Sequence, residues 1–282
     1  MRTFSHPGYK RFLLSVGCLL SIHFTALFFL TLFRLVFFFS ANYDFPDQEH
    51  VGFMSIWPAF IRGVWFDNVI ACYILLIPLV AVSISALFNY YGKILWNVTC
   101  IFFSLFYGIV LLVTAANIPY FQYFFKIINS SVFNWFGYMN TTAGMVFGET
   151  SYYPPLIGFL LTLVLFIWLM RRLIRHFQRL LNTKNPSVFW LDRIYIFLTA
   201  GICIGLCLFG IRGRTGYNPI KVSAAYYCTD PFLNQLGISP VFNLLSSTLD
   251  DSRKENRYLH LMPENEALEN TRHYLNRPGI EG

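Results

Sequence analysis

Three basic residues lie close together where the last apolar stretch of the chain ends. Arg212 and Arg214 follow the apolar run directly, and Lys221 comes after a short polar stretch. An arginine guanidinium can hold a phosphate group through two parallel hydrogen bonds. These residues, with Arg62 as a fourth cation, are therefore candidate contacts for lipid headgroups, and plain anchoring at the membrane interface is the alternative.

Two further charges fall at the borders of apolar runs. Arg34 lies near the end of the first run, where snorkelling to the interface and a structural ion pair are equal alternatives. Asp67 lies at the mouth of the second run, where it could cap the helix start or pair with Arg34 or Arg62. The structural hypothesis is an ion pair between Asp67 and one of these arginines.

No other group of residues has the spacing of a metal or catalytic site. The six histidines include no two at metal-ligand spacing with a carboxylate. Cys203 and Cys207 lie one helical turn apart, but no histidine or acid accompanies them, which favours packing over metal binding. We assign no catalytic residue, no metal ligand and no cofactor to this chain.

The composition is that of a membrane protein with several spans. The chain is 56% hydrophobic and only 12% charged, about half the charged fraction of an ordinary soluble domain. Residues 212–282 hold eight basic and eight acidic residues, so the net charge of +7 comes entirely from residues 1–211. A nucleic-acid partner would need a basic face outside the bilayer, and the sequence offers none.

Five apolar runs are long enough to cross a hydrocarbon core of ~30 Å. The predicted spans are residues 12–40, 66–88, 95–117, 152–170 and 189–210. Residues 41–65 are predicted to form a polar loop, and Pro119 is expected to end the third span. The aromatic tract of residues 120–150 suits either an interfacial helix or a packed cap over the helix ends.

The basic residues predict the orientation of the spans. Loops rich in lysine and arginine, including Lys93 and the cluster from Arg171 to Lys184, alternate with loops that hold only Arg62 and Lys126. The positive-inside rule then places the N-terminus in the cytoplasm and residue 212 onward outside. Anionic-lipid binding is a second role for the arginine cluster. Tyr90, Tyr91 and Trp96 are expected to form an aromatic belt at headgroup level.

The predicted fold class is an all-α membrane protein with two parts. Residues 1–211 form a five-span transmembrane domain, and residues 212–282 form an extracytoplasmic connector of short interfacial helices broken by prolines. Val241, Leu244, Leu245 and Thr248 make an apolar stripe at helical spacing, which could lie on the membrane or pack beneath a following domain. Residues 264–275 read as a short soluble helix.

Several short tracts resemble a known family. They are Arg62-Gly63-Val64-Trp65-Phe66-Asp67 before the second span, Pro119 to Phe124 after the third, and Arg212-Gly213-Arg214, Tyr226-Tyr227, Phe232 to Leu236 and Ser239 to Leu244 after the fifth. Their order resembles that of bacterial lipoteichoic-acid-synthase-like proteins, which are membrane-anchored members of the alkaline phosphatase superfamily. The resemblance covers nearly the whole chain, and the five-span layout agrees with it.

The resemblance implies chemistry that is located elsewhere. Members of the family carry an extracytoplasmic domain with a threonine nucleophile and a divalent metal (manganese, magnesium or zinc). They transfer phosphoglycerol or phosphoethanolamine from a lipid, or hydrolyse related esters as sulfatase-type enzymes do. We therefore expect this chain to be the membrane module and connector of such an enzyme in the bacterial inner membrane, without its catalytic domain.

The expected partners follow from that resemblance. They are membrane phospholipid and the chain's own downstream catalytic domain, while the oligomeric state is not predicted. The alternative function is a lipid-binding sensor or lipid-transport regulator of the same superfamily that performs no catalysis. A small transporter ranks last, because the sequence shows no internal repeat and little beyond His23 and Arg34 as intramembrane polar groups.

Overall fold

A computed structural model describes residues 7–41, 53–138, 144, 148, 150–181, 190–253 and 262–275. Every regular element in these ranges is helical. The long helices are α1 (Pro7–Ser40), α2 (Phe53–Leu87), α3 (Lys93–Phe124), α4 (Tyr153–Leu181) and α5 (Trp190–Arg212). The short ones are α6 (Pro231–Leu236), α7 (Pro240–Ser252) and α8 (Glu264–Leu275), with 3-10 turns at Ser130–Tyr138, Thr150–Tyr152 and Val222–Ala225.

The prediction of five apolar spans is confirmed. All five long helices have the length and composition needed to cross a membrane. Helix α1 is the central element, since it packs against α2, α3, α4 and α5. The peripheral α5 exposes Phe197, Ile202 and Leu206, which is the pattern of a surface that faces lipid.

Helix α2 begins well before the predicted second span. Residues 53–65, predicted to belong to a polar loop, are helical and continue into the span without a break. The reason is tertiary packing: Ala59 in this segment is fully buried, and its carbonyl lies 3.5 Å from where a Cβ on Gly237 would stand. The rest of the predicted loop, residues 42–52, lies outside the described residues, as do Lys184 and Phe189.

Two other helices continue beyond their predicted spans, and the expectation that Pro119 ends the third helix is wrong. Helix α3 continues through Pro119 to Phe124, where Phe125 takes a left-handed conformation and donates its N–H to the Phe121 carbonyl. A helix can tolerate proline where neighbouring groups satisfy the freed backbone. Helix α4 runs past Met170 to Leu181, and its final turns carry basic side chains that suit the negative end of the helix dipole.

The turn between α2 and α3 is set by its hydrogen bonds. Asn89 adopts a φ of 53°, and the amides of Asn89 and Tyr90 donate to the carbonyls of Ala86 and Ser85. This pattern is a Schellman motif, and asparagine tolerates its left-handed residue better than most side chains do. The expected aromatic belt is wrong for Trp96, which follows the turn and is 1% exposed.

The short helices assemble at one end of the bundle. Of the connector predicted over residues 212–282, residues 213–252 pack where α1 ends, α2 begins and α3 ends, and from here on the name connector refers to this packed part. Helix α6 contacts α1 and α2, and α7 contacts α2, α3 and the 3-10 turn Ser130–Tyr138. We call this the connector end. The opposite end, where α2 turns into α3, is called the turn end. A helix is present over residues 264–275, as predicted, and is called α8.

Candidate functional site: the connector end of the helix bundle

Arg34 joins the membrane helices to the connector. Its guanidinium donates to Asp67 Oδ2 at 2.6 Å and to the Ile238 carbonyl at 3.1 Å, and it also donates to the Leu236 carbonyl. The side chains of Arg34 and Asp67 are 5% and 3% exposed. One planar cation therefore links α1, α2 and the C-terminal end of α6. Of the alternatives that the sequence left open, the structure contains the pair between Asp67 and Arg34.

Gly63 makes room for this cation. A Cβ at Gly63 would lie 2.2 Å from Arg34 Cζ, so any side chain there would displace the guanidinium from its position. Gly63 and Asp67 are one turn apart on α2 and lie on the face that receives Arg34. Phe66, on the same helix, packs its ring 4.9 Å from the Phe242 ring of α7. The tract from Arg62 to Asp67 is therefore a docking surface for the connector.

Helix α6 is largely buried between the ends of the membrane helices. Asp230 caps it by accepting the Leu233 amide at 2.8 Å, and Pro231 occupies the first turn, where its missing N–H is harmless. Phe232 is 1% exposed, and its ring centroid lies 5.7 Å from those of Phe37 and Phe121. The apolar ends of α1 and α3 thus enclose the first turn of α6.

Two polar side chains fix the chain that leads into α6. Asn234 accepts the amides of Tyr227 and Cys228 at 2.9 and 3.3 Å and donates to the Cys228 carbonyl at 2.7 Å. The Tyr227 hydroxyl donates to the Ser55 carbonyl at 2.5 Å, and burial, more than the neighbouring Cys228, raises the pKa of Tyr227. The Arg62 guanidinium lies 4.5 Å above the Tyr227 ring. These contacts hold the start of α2 against the connector.

A third set of contacts ties the connector to the end of α3. Gln235 accepts the Ile127 amide at 3.1 Å and donates to the Phe125 carbonyl at 3.2 Å. Asn243 donates to the Ile128 carbonyl at 2.9 Å, and Ser247 accepts the Ser130 amide at 2.9 Å. All of these link segments that are more than 100 residues apart in the chain.

The candidate headgroup cations separate into two groups. Arg212, Arg214 and Lys221 are all exposed and lie on one closed turn, which we call the exit loop (residues 212–221). The Ile220 amide donates to the Arg212 carbonyl at 3.0 Å and closes the loop. Arg212 also donates to the Tyr217 carbonyl at 2.7 Å. Arg62 is not part of this group, because its guanidinium stacks on Tyr227.

Glycine is required where the exit loop leaves α5. Gly213 has a φ of 71°, and a Cβ there would lie 2.7 Å from the Ile220 side chain. The buried Ile220 therefore packs directly on the backbone of the loop and pins it to the bundle. The exposed basic side chains of the exit loop therefore extend from a backbone that is held against the bundle.

The predicted apolar stripe on α7 is divided between two environments. Val241 is buried, Leu244 and Thr248 are half-buried, and Leu245 is exposed.

The aromatic tract before α4 packs partly on the end of α3. The ring centroid of Trp135 lies 5.7 and 5.6 Å from those of Tyr120 and Phe124, so the 3-10 turn Ser130–Tyr138 covers the end of α3.

Several functional contacts of this site were not predicted. The sequence alone assigns no role to Asn234 or Gln235, and none to Gly63. A glycine inside a helical pattern is a signal of close packing, but Gly63 falls in the segment predicted to be a loop, so the sequence carries no such signal there. No group of three or more histidine, cysteine, aspartate or glutamate side chains in the described part of the chain could hold a metal ion.

Comparison with known proteins adds no relative. No protein-family model matches the chain, and neither the curated proteins nor the solved structures include a significant match. The resemblance to lipoteichoic-acid-synthase-like proteins therefore stays a prediction.

Proposed function

We propose that this chain is a membrane-anchoring module that holds a rigid connector at the outer membrane surface and positions lipid headgroups there. The observation that carries the proposal is the buried guanidinium of Arg34, which binds Asp67 and the carbonyls of Leu236 and Ile238 at the end of α6. A flexible linker would not require a buried cation where it joins the membrane helices, because burial of a charge is costly unless the charge is well paired.

The proposed orientation rests on the basic residues. The turn end carries Arg11 and Lys93, and α4 brings the arginines before Leu181 to the same end, where the Leu181 carbonyl accepts from Arg11. We propose that this end faces the cytoplasm and that the connector end faces outward from a bacterial inner membrane. Arg11 and Arg34 are 23 residues apart on α1, about 35 Å at the rise of an α-helix. That separation is close to the ~30 Å thickness of the hydrocarbon core.

The exit loop is the proposed headgroup contact. Its three cations are exposed beside the end of α5, and Ile220 fixes the loop to the bundle. Each lysine or arginine near an anionic surface contributes about 1 kcal/mol of attraction. Arg62 contributes less, because it already stacks on Tyr227.

The proposed reaction class comes from the family resemblance. Under this proposal, a downstream catalytic domain transfers phosphoglycerol or phosphoethanolamine, or hydrolyses a related ester, with a divalent metal of its own. The module would raise the rate by proximity, since a site held at the headgroup plane need not search bulk solution.

Two experiments test the proposal. Tyr217, 96% exposed on the exit loop, is changed to cysteine and treated in intact cells with a maleimide that does not cross membranes. Tyr90→Cys at the turn end is the matched control. We expect labelling at position 217 in intact cells and at position 90 only after lysis. Labelling of the reverse kind would overturn the orientation.

The second experiment measures headgroup contact. Protein in phosphatidylcholine nanodiscs doped with a photoreactive phosphatidylglycerol is crosslinked, and the crosslinked residues are mapped. We expect Arg214→Gln and Lys221→Gln each to weaken capture at the exit loop about fivefold. Arg253→Gln, an exposed arginine beyond α7, should have no effect. Equal capture in all variants would refute headgroup positioning by this loop.

A further inference from the structure

A cavity at the turn end is lined by polar and basic groups. Its volume is about 340 Å³, which is at the lower end of the ~300–1,000 Å³ range of ligand pockets. The lining residues that matter here are Arg11, Asn89, Tyr91, Gly92, Lys93 and Trp96. The cavity lies at the other end of the bundle from the connector, so a ligand bound in it is independent of the proposed function.

Three lining residues have buried polar atoms without a hydrogen-bond partner in the described part of the chain. They are the Asn89 amide oxygen, the Tyr91 hydroxyl and the Trp96 indole nitrogen. Trp96 is 1% exposed, and a buried donor left unsatisfied costs about 1–3 kcal/mol. Three such atoms beside one cavity leave hydrogen-bonding capacity that a bound molecule could take up.

The charges of the cavity define what kind of molecule fits. Among the residues that the structure describes, Arg11 and Lys93 line the cavity and no acidic residue does. Helix α3 begins at the cavity, and Gly92, its N-cap, supplies no side chain to cap the first-turn amides. A helix N-terminus with free amides favours an anion, and phosphate in particular.

Arg11 is held in place by contacts with two other residues that line the cavity, Leu181 and Tyr91. Its guanidinium donates to the Leu181 carbonyl through Nε at 3.1 Å and through Nη2 at 2.6 Å, and it lies 5.4 Å from the Tyr91 ring centroid. Burial, partly offset by the positive charge of Arg11, raises the pKa of Tyr91 to about 12. The Tyr91 hydroxyl therefore keeps its proton at neutral pH and can donate it to an anionic ligand.

We propose that this cavity binds a phosphate ester that also carries a hydroxyl group. The phosphate would accept hydrogen bonds from the Trp96 indole and the α3 amides and lie beside Arg11 and Lys93. The hydroxyl would donate to the Asn89 amide oxygen. Both a glycerophospholipid headgroup and a free glycerol phosphate have this chemistry.

The two sources are separated by two arms of one experiment. Full-length protein is placed in phosphatidylcholine nanodiscs, and bound ligand is counted by native mass spectrometry. One arm contains phosphatidylglycerol in the nanodisc, and the other contains soluble glycerol 1-phosphate. The exit loop is itself a proposed headgroup contact, so binding to the cavity is counted as the binding that the variant Trp96→Phe removes. Such binding in the lipid arm alone identifies a headgroup site, and such binding in the soluble arm alone identifies a small-molecule site.

The variants tie binding to the cavity. Trp96→Phe removes the indole donor together with part of the buried ring. Loss of a hydrogen bond to a charged group lowers affinity at least about tenfold. Lys93→Gln should weaken binding several-fold, and the effect should shrink at high salt because Lys93 is exposed. Trp57→Phe and Lys126→Gln at the connector end are matched controls and should bind like the wild type.

A further variant guards against misfolding at position 96. Asn89→Asp keeps the size of the side chain and its tolerance of a left-handed backbone, but it adds a negative charge to the cavity. It should lower binding more than tenfold, while Arg253→Gln, at an exposed arginine outside both the cavity and the exit loop, should leave binding unchanged. If wild-type protein binds neither ligand, or if every variant binds as well as the wild type, the cavity holds water only and the proposal is wrong.

Discussion

Replacing Arg34 by methionine and Asp67 by leucine, singly and together, tests how the connector is held. Each single variant leaves one charge buried without its opposite charge, because the two side chains are 5% and 3% exposed. Loss of one member of a buried ion pair costs about 3–5 kcal/mol. The double variant buries no charge at this place, so its cost should be well below the sum of the two single costs. We expect a coupling energy of about 2–3 kcal/mol.

The same variants separate the ion pair from the link to the connector. Arg34→Met also removes the donors to the carbonyls of Leu236 and Ile238, whereas Asp67→Leu leaves them in place. Amide exchange of residues 231–241 should therefore increase more in Arg34→Met than in Asp67→Leu. Arg34→Lys should behave more like Arg34→Met, because a single ammonium cannot reproduce the planar fork of donors.

The assay is reversible unfolding in mixed micelles for the coupling energy, with hydrogen–deuterium exchange for the connector. The control cycle uses Asp250 and Arg253, an exposed pair at 3.5 Å, where the coupling should be below about 0.5 kcal/mol. A coupling energy for Arg34 and Asp67 as small as that of the control would refute the reasoning. So would unchanged exchange of residues 231–241 in Arg34→Met.

Three other variants test single contacts of the connector end in the same unfolding and amide-exchange assays. Gly63→Ala should lower the free energy of unfolding by about 1–3 kcal/mol through overpacking against the guanidinium. Gly158→Ala on α4, where a Cβ meets open space, should not lower it, and equal effects would contradict the packing account. Asn234→Leu should speed amide exchange of the residues before α6, because the amides of Tyr227 and Cys228 lose their acceptor. Asn218→Leu on the exposed exit loop should not speed it, and similar exchange in both variants would contradict this role. Tyr227→Phe should cost about 1 kcal/mol through loss of one hydrogen bond to α2, and an unchanged unfolding free energy would show that this bond is not formed.

The sequence predicts the long helices because their signal is local. A run of apolar residues long enough to cross a bilayer is visible without any knowledge of the partners of each helix. The bounds are less predictable. Helix α2 starts at Phe53 rather than near residue 66 because the connector packs on its first turns, and packing of that kind overrides local composition.

The ion pair of Arg34 could be anticipated only in part. A charge inside an apolar run must face a partner or the interface, and that argument led to Asp67. The other half of the site could not be anticipated, since the carbonyls of Leu236 and Ile238 are more than 200 residues away in the chain. A backbone acceptor has no sequence signal at all, so only the folded structure reveals the link.

The headgroup candidates show a similar limit. Arg62 has the residue type expected of a phosphate contact, yet its guanidinium lies over the Tyr227 ring. Arg212 uses part of its donor capacity on the Tyr217 carbonyl of its own loop. Residue type indicates what a side chain can bind, but the neighbours that compete for it are known only from the fold.

A distance measurement between α2 and α7 tests the central claim, that the connector and the membrane helices form one rigid body. Spin-labelled unnatural amino acids are placed at Met54 and Leu249, which are 85% and 64% exposed, so that all native cysteines stay in place. Pulsed electron resonance on protein in nanodiscs should give a single narrow distance distribution in the wild type, and a broader one in Arg34→Met. A distribution that is broad in the wild type and unchanged by the substitution would contradict the account.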